Sequence, residues 1–231
     1  MGATEVVARW LAACGIVIPV ADILVTAGLA ALDPGYSHAR QYISELGEHG
    51  RPYSVAFNAW CVAYGVLSAG FAVGLGRALG SRPVLAVLLA LAALSVAGGV
   101  FPCDPGCAGN TPAARVHVLT GHLGFVGIVL APFLAAAAMR GRPGWRGYGA
   151  FSIAAGILLL TAGGWLAAGY SAGREQWWCP VGAAQRVTLG IQYAWMLGVA
   201  GRLWALAGRG SPGRDGTAGP AAAPSAAADR G

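Results

Sequence analysis

The chain is 231 residues long, 56% hydrophobic and only 10% charged, with a mean hydropathy of +0.60. A soluble domain carries about 25% charged residues, so this composition excludes an ordinary globular enzyme and a disordered chain. The formal charge of +6 comes from arginines scattered between apolar runs, with no lysine and no basic face. No nucleic-acid partner is expected from such a distribution.

A bilayer core about 30 Å thick takes roughly 20 apolar residues in a helix. Six runs reach or approach that length: residues 10–32, 55–75, 83–101, 116–139, 148–170 and 187–206. The last is the weakest, because Arg202 sits near its far end, where a long side chain can snorkel. Between the runs lie Asp33-Pro34-Gly35, Gly80-Ser81-Arg82-Pro83, Asp104-Pro105-Gly106, Gly141-Arg142-Pro143-Gly144 and Ser171-Ala172-Gly173. Pro and Gly interrupt the helical hydrogen-bond ladder at such places. A barrel would show alternating ten-residue segments instead. The expected fold is all-α, a transmembrane bundle of six helices over residues 1–207, followed by a disordered cytoplasmic tail over 208–231. The length of the first run and Asp22 inside it argue against a cleaved signal peptide.

Arginine placement sets the expected orientation. Arg9, Arg77, Arg82, Arg140, Arg142, Arg146, Arg202, Arg209, Arg214 and Arg230 fall on one side; Arg40, Arg51, Arg115, Arg174 and Arg186 fall on the other, among acids. Both termini are therefore expected in the cytoplasm, with the protein in the plasma membrane and its lipids as partners.

With that orientation, the polar residues collect in the outer half. Asp22 lies about 15 Å below the outer end of the first helix. Asn58, His117, His122, Arg186 and Gln192 occupy the outer halves of their helices, and Asp104 sits in the third loop. A charge at mid-bilayer costs about 2.5–3.5 kcal/mol on insertion scales, so Asp22 is expected to face the bundle interior. One reading makes it the floor of an outward-facing pocket, walled by Asn58, His117, His122 and Gln192 and rimmed by Arg186 and Asp104. The other makes it a buried interhelical hydrogen bond that fixes packing. His117 and His122 stand about 140° apart around their helix, which does not suit a paired metal site. Zinc held by one of them with Asp22 or Asp104 is the conceivable exception; no metal or cofactor is expected.

The first outer loop is the longest. Ser37 can cap a short helix, Ile43 and Leu46 give it an apolar stripe, and Gly47 ends it. Such a helix would lie on the outer leaflet and carry Ser44, Glu45 and His49 toward the pocket mouth. In the third loop, Cys103 and Cys107 flank an Asp-Pro-Gly turn on the oxidising side, which favours a local disulfide. Pairing of either one with Cys179 is the rival. Cys14 and Cys61 read as small core residues, and the Gly121, Gly124 and Gly127 series reads as a helix-packing signal.

Three segments together carry a resemblance: Tyr42-Ile43-Ser44-Glu45-Leu46-Gly47 after the first helix, Gly99-Val100-Phe101-Pro102-Cys103-Asp104 after the third, and His117 opening the fourth. In this order and at these helix ends, the chain resembles the prokaryotic membrane family called domain of unknown function 998, over about residues 10–206. The resemblance implies a fold and a membrane location, and no activity. The leading functional expectation is a pocket that binds a lipid head group or small polar solute without covalent chemistry. The alternatives are a metal-assisted membrane hydrolase or lipid-modifying enzyme, and a non-catalytic assembly partner.

Overall fold

The computed structural model describes residues 2–173 and 176–208. Its helices are α1 (Ala3–Ala31), α2 (Ser54–Ala78), α3 (Arg82–Val100), α4 (Pro112–Met139), α5 (Tyr148–Ala172) and α6 (Val181–Ala207), with 3-10 turns at Ile43–Gly47, Pro105–Cys107 and Pro143–Trp145. No strand occurs among the described residues, and the all-α six-helix bundle read from the sequence is the fold. The expected tail lies outside the described residues from 209 onward.

Helices α1 to α5 are each long and apolar enough to cross a membrane; α6, 27 residues long, carries Gln185, Arg186, Gln192 and Arg202 and is not among those five. Large apolar side chains point outward, Leu24 at 68% exposure and Leu160 at 60%, which a water-facing helix would bury. The chain is a multi-pass membrane protein.

Three helices start earlier than the apolar runs suggest. Helix α1 begins at Ala3 rather than at 10, α4 at Pro112 rather than 116, and α6 at Val181 rather than 187. For α4 the cause is local: Thr111 Oγ1 accepts the Ala114 N–H at 3.2 Å and Pro112 occupies the first turn, so capping outweighs apolarity. His117 thus sits in the second turn of α4 instead of opening it, and Gln185 and Arg186 lie inside α6.

Each helix packs against the next in sequence, and α6 returns to pack on α1, so the six close into a ring. Short connections between α2 and α3 and between α4 and α5 make those neighbours antiparallel. Half of the ring, toward the chain termini, is filled by one core that includes Phe71, Leu75, Leu88, Ala135, Trp195 and Val199. Close approach there depends on residues without side chains: a Cβ on Gly65 of α2 would stand 2.6 Å from the Ala92 carbonyl oxygen of α3. The opposite half holds the site.

Candidate functional site

The connection from α1 to α2 folds over the end of the ring opposite the termini. It does not form an amphipathic helix on the outer leaflet. Residues Ile43–Gly47 make a single 3-10 turn capped at Tyr42, in which Glu45, Leu46 and Gly47 are buried. Glu45 accepts the Tyr42 N–H at 2.8 Å and the Gln41 Nε2–H at 3.0 Å. Leu46 packs on Ala30 and Phe57. Gly47 is pressed against α2, where a Cβ would collide with Phe57 and Asn58. A stripe of only two apolar residues is too short for an interfacial helix, and burial in the ring end wins. Ser37 caps no helix; its Oγ accepts the Arg40 N–H at 3.4 Å in a turn.

Side chains from other elements clamp this lid. Arg186 of α6 donates through Nη1 to the carbonyl oxygens of His38 at 2.6 Å and Gln41 at 3.2 Å, and through Nη2 to the Tyr36 hydroxyl at 2.7 Å. Burial pushes the Tyr36 hydroxyl pKa up, with Arg186 pulling the other way. Gln185 Oε1 accepts the Ile43 N–H at 2.6 Å, and Asn58 Nδ2 donates to the Gly47 carbonyl at 3.0 Å. Arg51 joins Glu48 at 2.8 Å and Asp33 at 3.0 Å. Glu48 also accepts the Gly106 N–H at 2.5 Å, tying the lid to the third loop.

In that loop the sulfurs of Cys103 and Cys107 are bonded, 2.12 Å apart, and Cys179 is a free, buried thiol whose S–H points to the Trp165 carbonyl. The rival pairings with Cys179 are thereby excluded. Asp104 is 6% exposed and accepts the backbone N–H groups of Asn110 at 3.0 Å and Thr111 at 2.8 Å and the Thr111 hydroxyl at 3.0 Å. The Thr111 N–H, first among these bonds, holds the Asp104 carboxyl below the usual range. Ser44 Oγ lies 3.3 Å from Cys107 Sγ.

Beneath the lid lies a cavity of about 250 Å³ lined by α1, α2, α3, α4 and α6. Its lid end is polar, with Ser44, His117, Thr120 and Gln185; its far end is apolar, with Phe71, Leu88, Leu91, Ile128 and Met196. Asp22 and Gln192 line the wall between. Asp22, 8% exposed, accepts the Trp60 indole N–H at 2.7 Å and the Tyr193 hydroxyl at 2.6 Å. His117 Nδ1 faces the carbonyl oxygens of Gly98 at 3.0 Å and Phe101 at 2.9 Å; two acceptors there make Nδ1 the protonated nitrogen and leave Nε2 as the remaining polar atom. Gln192 is 5% exposed and its Oε1 has no hydrogen-bond partner. Buried side-chain amides are nearly always paired.

The residues singled out from the sequence therefore separate into two groups. Asp22, His117, Gln192 and Ser44 meet at the cavity wall. Asn58, Asp104, Arg186, Glu45 and His49 do not line it; the first four organise the lid and loops, and exposed His49 donates its backbone N–H to the Cys103 carbonyl at 3.1 Å. His122 points away altogether, exposed, bonded to the Val118 carbonyl of its own helix and set edge-on to Tyr170 at 5.2 Å. Its angular distance from His117 is the cause.

The glycine series on α4 also divides. A Cβ on Gly127 would stand 2.6 Å from Leu91, the expected packing contact, but Gly121 and Gly124 meet nothing within 4 Å. Both line the cavity on the same stripe as His117 and Ile128, so two missing side chains widen it. Trp60 and Tyr193, which hold Asp22, escape a reading that treats aromatics as apolar filler. The available signal was their polar handle, which needs a partner when buried.

The sulfurs of Cys103 and Cys107 and a His117 ring nitrogen lie within 4.8 Å of one another. A thiolate is the metal-binding form of cysteine, and two bonded sulfurs offer none, so in this state the cluster presents a single imidazole.

A closed ring of six helices, most of them apolar enough to cross a membrane, defines a class: polytopic α-helical membrane proteins. Within that class, the chain belongs to the family described as Protein of unknown function (DUF998), whose model matches residues 16–202. The match spans all six helices, as the three resembling segments implied. No curated protein and no solved structure matches the chain.

Proposed function

We propose that the protein is a plasma-membrane binding protein that holds one amphiphilic small molecule in the cavity beneath the α1–α2 lid, without covalent chemistry. The observation that carries this reading is Gln192, an amide 5% exposed that lines an apolar-ended cavity and whose buried oxygen has no hydrogen-bond partner within the protein. Leaving a buried acceptor unmade costs about 1–3 kcal/mol, which a ligand's donor would offset. The gradient from Ser44 and Gln185 to Leu88 and Met196 suits a molecule with a polar head and an apolar tail. Placement of both termini in the cytoplasm draws support from the arginine asymmetry and from the disulfide at the arginine-poor end.

Native mass spectrometry of the protein released from nanodiscs tests the reading. The wild-type protein should carry a stoichiometric small-molecule adduct, and Gly121→Leu, which fills the cavity, should lose it while remaining folded. A wild-type protein that carries no adduct and takes up none from added membrane lipid extract would refute it.

A second reading, a non-catalytic assembly partner, draws on Asp22, whose two oxygens take donors from α2 and α6. It predicts that Asp22→Asn lowers stability and leaves the adduct in place.

A further inference from the structure

The cavity's charge and hydrogen-bonding inventory points to the chemical class of its occupant: we propose that it selects a lipophilic amine, an alkyl chain ending in a protonated nitrogen. This rests on the proposed function above and narrows it.

Asp22 is the only Asp, Glu, Lys or Arg among the lining residues. Arginines on the lining helices and the lid are engaged elsewhere: Arg186 with the lid carbonyls, Arg51 with Asp33 and Glu48, Arg115 with the Asn110 carbonyl, and Arg202 with the Gly144 carbonyl at the other end of the ring. Nothing in the cavity neutralises a phosphate, sulfate or carboxylate head, and an unpaired buried charge is strongly disfavoured.

Asp22 itself has no cationic partner. Trp60 and Tyr193 are neutral donors that take one lone pair on each oxygen, while an ionised carboxylate offers about four. Inside a bilayer, acids pair with cations or face a polar cavity. Here the cavity is the open side.

The other free polar atoms point the same way. Gln192 Oε1 is an acceptor without a donor. With His117 Nδ1 donating to two carbonyls, Nε2 is the polar atom that the ring has left. The donors at the mouth are the Gln185 amide nitrogen, whose oxygen is held by Ile43, and the Ser44 hydroxyl, both neutral. An ammonium group supplies N–H donors to such a set; an alkyl sulfate supplies none. Trp60, Tyr64, Phe57, Phe71, Phe125 and Tyr193 also line the wall, and aromatic rings favour cations over anions.

Saturable binding of radiolabelled decylamine, decanol and decyl sulfate to the nanodisc-embedded protein at pH 7, corrected with empty nanodiscs, distinguishes the outcomes. Decylamine should bind about tenfold or more tightly than the other two, a preference of the size expected from one unscreened charge contact. Asp22→Asn should erase that preference. Gly121→Leu, which keeps the carboxylate, should abolish saturable binding of all three. Equal binding of decanol or decyl sulfate, or an unchanged preference in a folded Asp22→Asn variant, overturns the inference and leaves the cavity as a binding site. Should Asp22→Asn fail to fold, the three-ligand comparison on the wild-type protein still decides. Absence of saturable binding by any of the three overturns this inference and the proposed function together.

Discussion

The Tyr193 hydroxyl of α6 donates to Asp22 Oδ2 of α1 at 2.6 Å, and the pair is separated by 171 positions in the sequence. With the Trp60 indole on the other oxygen, one carboxylate joins three helices at the cavity wall. Interhelical hydrogen bonds in membranes average about 0.6 kcal/mol and reach about 1.7. A double-mutant cycle of Asp22→Asn and Tyr193→Phe should therefore give a coupling of about 1 kcal/mol in reversible unfolding from mixed micelles. A coupling indistinguishable from zero would show that the bond holds nothing together.

The α4 glycines should respond oppositely to the same substitution. Gly121→Leu and Gly124→Leu project into open space and should leave thermal stability unchanged or raised. Gly127→Leu meets Leu91 at 2.6 Å and should cost about 1–3 kcal/mol by overpacking. Melting curves of the three variants compare them directly.

Arg186 holds the lid by a planar fork, with His38 and Gln41 carbonyls on Nη1 and Tyr36 on Nη2. Lysine cannot reproduce that geometry. Hydrogen bonds to charged groups are worth about 1.5–3 kcal/mol, so Arg186→Lys should raise amide exchange across residues 36–48 about tenfold or more, with α2 and α3 unaffected. Unchanged exchange would mean that the Gln185, Asn58 and Glu48 contacts suffice to hold the lid.

Thiol chemistry should distinguish the cysteines. In unreduced, folded protein, maleimide should label neither Cys103 nor Cys107, which are bonded, nor Cys179, which is 0% exposed; burial also pushes the Cys179 thiol pKa up, away from the reactive thiolate. Reduction should open the first two and destabilise the protein by about 2 kcal/mol, the chain-entropy value for so short a loop. Labelling of Cys179 before reduction would contradict this packing.

Asp104 supplies a pH dependence with a definite sign. Its folded pKa lies below the ordinary aspartate value, so its stabilising effect is complete above that ordinary value and is lost as pH falls from there through the depressed folded pKa. Asp104→Asn should remove this acid-side loss and lower stability at neutral pH, since its amide accepts the Thr111 and Asn110 N–H bonds more weakly. Parallel acid titration of the two proteins by circular dichroism tests it; identical acid limbs would exclude a role for Asp104.

Much of this architecture is legible along the chain because its cause is local. Apolar runs, Pro and Gly breaks and arginine spacing identify six helices without reference to contacts, and Cys103 and Cys107 are close enough in sequence for the turn alone to suggest their bond. Asp22 announces itself because an acid within an apolar run needs a partner wherever it lies. Its partners, Trp60 and Tyr193, are decided by how α1, α2 and α6 pack. Tertiary structure likewise decides that Arg186 and Asp104 hold loops instead of rimming the cavity, that His117 faces inward while His122 faces out, and that two of three similar glycines border empty space. Hydrophobicity and helix-breaking act over a few residues and can be read from their order; the direction of a side chain in a ring of helices depends on rotation and depth, which long-range packing alone sets.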